Sequence, residues 1–91
     1  MYVIVAPVRD AWDKVTCCPI QNKDPGRSIG LTEVELLLGS QKTLPLLKDS
    51  RILCHEIYTL PKTCFFTQAG VLGQVEQSKV KTAMGVYLRI P

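Results

Sequence analysis

Apolar residues in this chain fall into short runs, each closed by a proline or a polar loop, and helical spacing appears only near the end. That grouping leaves room for several strands and one helix. Tyr2-Val3-Ile4-Val5-Ala6, closed by Pro7, is a β-branched run and reads as a buried strand. Val15-Thr16-Cys17-Cys18-Pro19-Ile20 resumes a strand after the polar connection Arg9–Lys14, and Pro19 points to a sheet edge or a bulge. Thr32-Glu33-Val34-Glu35-Leu36 alternates polar and apolar residues as a half-buried strand does. Arg51 to Leu60, ending at Pro61, is the longest strand expected, and Thr63 to Thr67 reads as one more short strand.

Between these runs the composition is that of loops. Gln21 to Gly30 contains Asp24-Pro25-Gly26, where proline fixes one φ and glycine frees the next, and Gly39 to Ser50 is a second long connection interrupted by Pro45. From Gly73 onward Val75, Val80, Ala83, Met84, Tyr87 and Leu88 recur near helical spacing. Strands over about 2–67 followed by a helix over about 73–89 make a mainly β chain, either α+β or a small barrel closed by a helix. At 91 residues there is one domain, since a second core would be too small to offset its ordering entropy.

No apolar run approaches the roughly 18 residues a membrane span needs, and the apolar start Met1–Val8 has no basic leader, so a cytoplasmic address without membrane contact is expected. The net charge of +3 permits a nucleic-acid partner without demanding one. Cys17, Cys18, Cys54 and Cys64 contain no Cys-x-x-Cys pair, and adjacent cysteines on a strand face opposite ways. They read as four small, mostly buried thiols, with neither a metal nor another cofactor expected.

His55 is the sole histidine and the first candidate for proton transfer, because imidazole titrates near neutrality. On a continuous strand it would face away from Glu56, while Glu56 and Tyr58 would share a face. Trp12, an apolar ring in a polar turn, reads as a lid over the barrel mouth or as a stacking platform for an unpaired base. Lys23 and Arg27 in one loop, with Arg9, Lys14 and Lys62 on others, are candidates for a patch that tracks phosphates. Phosphate-binding glycine loops and the serine-nucleophile and zinc-protease motifs are all missing.

Four segments, in order, resemble the MazF/PemK (Kid) toxin family. Lys48-Asp49-Ser50, the apolar run after it and Ile57-Tyr58-Thr59-Leu60-Pro61-Lys62 are similar to a family signature reading basic–Asp–Ser, an apolar run, then Gln-Ile-Arg-Thr, Ile or Leu, Asp and Lys. Lys79-Val80-Lys81-Thr82-Ala83-Met84 with Leu88 echoes the family's C-terminal helix, Val3-Ile4-Val5 its Arg-Pro-Val-Val-Val-Ile strand, and Cys18-Pro19-Ile20-Gln21-Asn22 the segment that ends in Thr-Ser.

The resemblance implies an SH3-like barrel of the CcdB/Kid/MazF type with a C-terminal helix, a homodimer, and a cognate antitoxin as inhibitor. It also implies the toxin of a type II toxin–antitoxin module, cleaving single-stranded RNA without a metal. Carried over position by position, it assigns catalysis to Gln21 and Tyr58, with His55 nearby at a position the family does not keep as histidine, and RNA contacts to Asn22, Glu56 and Lys62, to which the loop cations Lys23 and Arg27 are added from their charge. The departures are specific. Gln21-Asn22 stands where the family has hydroxyls, Tyr58 where it has the arginine of Gln-Ile-Arg-Thr, and Pro61 where it has aspartate; the family's opening strand and the arginine of Arg-Pro have no counterpart among these residues. Two other readings stay open: a MazF-like barrel that binds antitoxin or RNA without cleaving, and a gyrase poison of the CcdB type. The latter family ends in Trp-Gly-Ile, which Tyr87-Leu88-Arg89-Ile90-Pro91 does not reproduce.

Overall fold

The computed structural model describes residues 1–6, 8–9, 11–24, 26–38, 46, 48–65 and 71–89. Five strands run β1 (Tyr2–Ile4), β2 (Lys14–Asn22), β3 (Glu33–Leu36), β4 (Ser50–Leu53) and β5 (Tyr58–Pro61), followed by the helix α1 (Gln74–Leu88). All pairings are antiparallel, in the order β1-β2-β4-β3 with β5 also on β2. The chain is mainly β with one C-terminal helix, as the order of its runs implies.

The long strand β2 organises the barrel. Its first half, Lys14–Cys17, pairs with β5, and its last three residues, Ile20–Asn22, pair with β4. Between them Cys18 and Pro19 have partners only in β1, opposite Val3 and Tyr2. Pro19 has no N–H to give a second neighbour, so the ladder changes partner where the donor is missing. The single strand expected over Arg51–Leu60 is therefore two strands. The register of β5 on β2 is three residues out of step with that of β4. The turn at 54–57, closed by Glu56 N–H donating to Leu53 O at 3.1 Å, absorbs the difference.

Two further expectations are corrected. Thr63 and Cys64, expected to open a strand, belong instead to a turn of 3₁₀ helix over Lys62–Cys64 that Phe65 ends; Phe66 and Thr67 of that run lie outside the described residues. So do Pro7, Asp10, Pro25 and Pro45. Trp12 is no lid, since it is 56% exposed.

One face of the sheet carries the core. Ile20, Ile52 and Val34 stand opposite one another across β2, β4 and β3, and Cys18, Leu36 and Cys54 join them under Val80 and Ala83 of α1. The expected helical stripe is only partly covered, for Val75, Tyr87 and Leu88 remain exposed. Three of the four thiols are buried and Cys64 is exposed. Burial raises the thiol pKa of Cys17, Cys18 and Cys54, the last to about 11.

Candidate functional site

On the other face of the sheet the alternation of β2, β3 and β4 sets a polar row. Gln21 pairs in register with Arg51, and Arg51 with Glu35. Cross-strand partners share a face, so the three side chains project together, away from Ile20, Ile52 and Val34. Arg51 is the centre of this row. Its Nη1 donates to Glu33 Oε2 at 2.8 Å and its Nη2 to Gln21 Oε1 at 3.3 Å. The Arg51 and Glu33 side chains are 10% and 11% exposed, and Arg51 Nε is buried without an acceptor. The Arg51 hydrogen bond holds the Glu33 carboxyl below its ordinary pKa although burial alone would raise it; the charges of Arg51, Arg27 and His55 act in the same direction as that bond.

Beside this row the 54–57 turn gathers a second set. His55 Nδ1 lies 3.0 Å from Thr32 Oγ1, and His55 Nε2 lies 3.9 Å from Glu56 Oε2. A strand would have kept His55 and Glu56 on opposite faces; the turn brings their side chains toward each other. Tyr58 and Glu56 meet as their spacing implies, with the phenol donating to Glu56 Oε1 at 3.0 Å. That bond raises the Tyr58 pKa, because ionising the phenol would set two anions side by side. The rings of His55 and Tyr87 are 6.4 Å apart, which places the end of α1 against this group.

The three residues to which catalysis was assigned lie along a polar chain of two groups, Gln21–Arg51–Glu33 and His55–Glu56–Tyr58, which interact through the charges of Glu33 and His55 rather than through a hydrogen bond. Lys23 stands at its edge, ion-paired with Glu35 at 2.5 Å, and Arg27 is exposed within electrostatic reach of Glu33. Asn22 does not join them. It follows Gln21 on the strand and so faces the other way, opposite Ser50. Lys62 lies at the opposite end of β2, where its Nζ donates to Arg9 O at 2.6 Å. Arg51, Glu33 and Thr32 were not singled out from the sequence. The one available signal was a guanidinium standing between Ser50 and Ile52 at the head of an apolar run.

A five-stranded antiparallel sheet organised on one long strand and followed by a C-terminal helix is the fold of the MazF toxins. Among solved structures, the Mycobacterium tuberculosis toxin MazF-mt6 superposes with a TM-score of 0.80 at 23% identity, over 99% of this chain and 86% of that one. A mycobacterial endoribonuclease in complex with its cognate antitoxin superposes at 0.77 and 19% identity, over 99% of this chain and 81% of that one. A third, a Mycobacterium tuberculosis toxin, gives 0.74 and 24% identity over 94% and 89% of the two chains. No family model matches the sequence, and no curated protein does. The likeness is one of fold.

Proposed function

We propose that this chain belongs to the MazF/PemK family and is the toxin of a type II toxin–antitoxin module, an endoribonuclease acting on single-stranded RNA. The observation that carries the reading is the superposition over 99% of the chain on a MazF toxin and on an endoribonuclease in complex with its cognate antitoxin, with a row of polar side chains on the sheet face away from the core. The reaction needs a 2′-hydroxyl to attack its own phosphorus, forming the P–O2′ bond as the P–O5′ bond breaks. One group accepts the 2′ proton, another supplies a proton to the leaving oxygen, and donors steady the phosphorane. His55, oriented by Thr32 and Glu56, accepts the 2′ proton, and the Tyr58 phenol, released from Glu56, supplies the proton to the leaving 5′-oxygen. The Gln21 amide donates to a phosphate oxygen, and Arg51 supplies the positive charge that the family takes from other positions. Lys23, Arg27, Glu56 and Lys62 contact the strand on either side, and Asn22, which faces the other way, does not. The demand for a 2′-hydroxyl selects RNA over DNA.

The partners follow the same reading. A cognate antitoxin covers the polar face. A second copy of the chain pairs along β1, an edge strand whose Tyr2 and Ile4 are 46% and 45% exposed. Among the described residues no helix is long and apolar enough to cross a membrane, and a cytoplasmic protein is proposed.

The test is incubation of the purified protein with a long single-stranded RNA in chelator. Cleavage that His55→Ala abolishes, and that a 2′-deoxy substitution at the cut site blocks, is the expected result; intact RNA at high protein excess overturns it. One observation favours a second reading, a barrel that binds RNA or antitoxin without cutting: Arg51 is 8% exposed and already held by Glu33. Binding with no cleavage selects that reading.

A further inference from the structure

Trp12 is the one tryptophan of the chain, and more than half of it is exposed. The ring stands in a turn closed by Trp12 N–H donating to Arg9 O at 3.1 Å. The Arg9 guanidinium covers the ring at 5.2 Å from its centroid. Lys62 fastens this turn to the end of β5 twice: its backbone N–H donates to Asp13 O at 2.8 Å and its Nζ to the same Arg9 O at 2.6 Å. Lys14, the first residue of β2, is exposed beside it and pairs in register with Pro61. The ring therefore rests on the Arg9 guanidinium, its turn is pinned to the sheet by Lys62, and Lys14 follows two residues on. Among the described residues no ion pair engages Arg9, Lys14 or Lys62, and Asp13 is the only carboxylate residue described in the turn.

An indole backed by a cation on one face has its other face available to a flat, electron-rich partner. An unpaired base fits, because every base has a π-face and its phosphates need cations nearby. We propose that Trp12, supported by Arg9, is a stacking platform for one unpaired base, with Lys14 and Lys62 holding the adjoining phosphates. Lys62 is four residues beyond Tyr58, about 13 Å along an extended chain. The platform thus lies a few nucleotides from the polar chain and binds a flanking base. This inference rests on the RNA reading above and adds a subsite to it.

Because Trp12 is the sole tryptophan, its emission reports on this subsite alone. The probe is a fluorescein-labelled 2′-O-methyl oligonucleotide of mixed sequence, about twelve nucleotides long, which lacks the attacking hydroxyl. Anisotropy of the label measures binding anywhere on the protein, and quenching of tryptophan measures occupancy of the platform. Both are expected to saturate together. Trp12→Ala should weaken binding by roughly 5- to 150-fold, the range for loss of one base–aromatic stack, and Trp12→Phe by less. Lys62→Gln should lower the dependence of log affinity on log salt by about 0.7. An oligonucleotide with one abasic position should lose the quenching in one register only.

Binding by anisotropy with tryptophan emission unmoved and Trp12→Ala unimpaired overturns the platform and leaves the RNA reading standing. No binding by the wild-type chain at low salt overturns both. Emission that changes with protein concentration before any oligonucleotide is added overturns the platform in favour of a contact between copies.

Discussion

Replacing Arg51 by Met, which keeps the length of the side chain and removes its charge, leaves Glu33 on a face where its side chain is 11% exposed. Losing one partner of a buried pair costs about 3–5 kcal/mol, most of it from the charge left behind. The carboxyl caps that cost by taking up a proton. From an ordinary value of 4.5, protonation at pH 7 costs at most about 3.4 kcal/mol, at 1.36 kcal/mol per pH unit. At pH 5 the same cap is only about 0.7 kcal/mol. Loss of the Arg51 hydrogen bond to Gln21 adds about 1 kcal/mol at either pH.

The sign follows from the direction of each shift. In the wild type the Glu33 pKa is lowered, so its contribution is complete above 4.5 and lost as pH falls through the folded value. In Arg51→Met burial raises that pKa, so the variant loses stability as pH rises through the raised value. Urea unfolding at pH 5 and pH 7 is the assay. The destabilisation should be about 4 kcal/mol at pH 7 and about 1.5–2 kcal/mol at pH 5, and Arg51→Met/Glu33→Gln should remove most of the difference between the two. A destabilisation below about 1 kcal/mol at pH 7, or one that does not change with pH, refutes the assignment of Arg51 and Glu33 as a desolvated pair.

Ile52→Ala should cost about 2–5 kcal/mol in the same urea assay, since Ile52 is fully buried between Ile20 and Val34; a smaller loss would place the core elsewhere. A thiol reagent should modify Cys64 quickly in the native protein and Cys17, Cys18 and Cys54 only on unfolding, with Cys54, at a pKa of about 11, kept protonated at neutral pH as well as covered. A second fast thiol would contradict the burial. Glu56→Gln should lower the raised pKa of Tyr58, read from its ring resonances across a pH titration, because the anion that resists ionisation of the phenol is gone; an unchanged titration would show that the two side chains do not meet in solution.

What the chain determined by itself was local. Short β-branched runs and a terminal stretch of helical spacing placed β1, β2, β3 and α1 close to where they form, and alternation named Val34 and Leu36 as the inward residues of β3. A side-chain period depends on neighbours one to four residues away, so it is written in the sequence. Pairing between distant strands decided the rest. Pro19 deprives β2 of one donor, the ladder changes partner there, and the run from Arg51 to Leu60 breaks at a turn that brings His55 and Glu56 together. The same pairing set Arg51 between Gln21 and Glu33 and sent Asn22 to the opposite face. Trp12 was left exposed because Lys62, fifty positions further on, pins its turn to the end of β5. Cross-strand register is a property of two segments at once, and neither segment carries it alone.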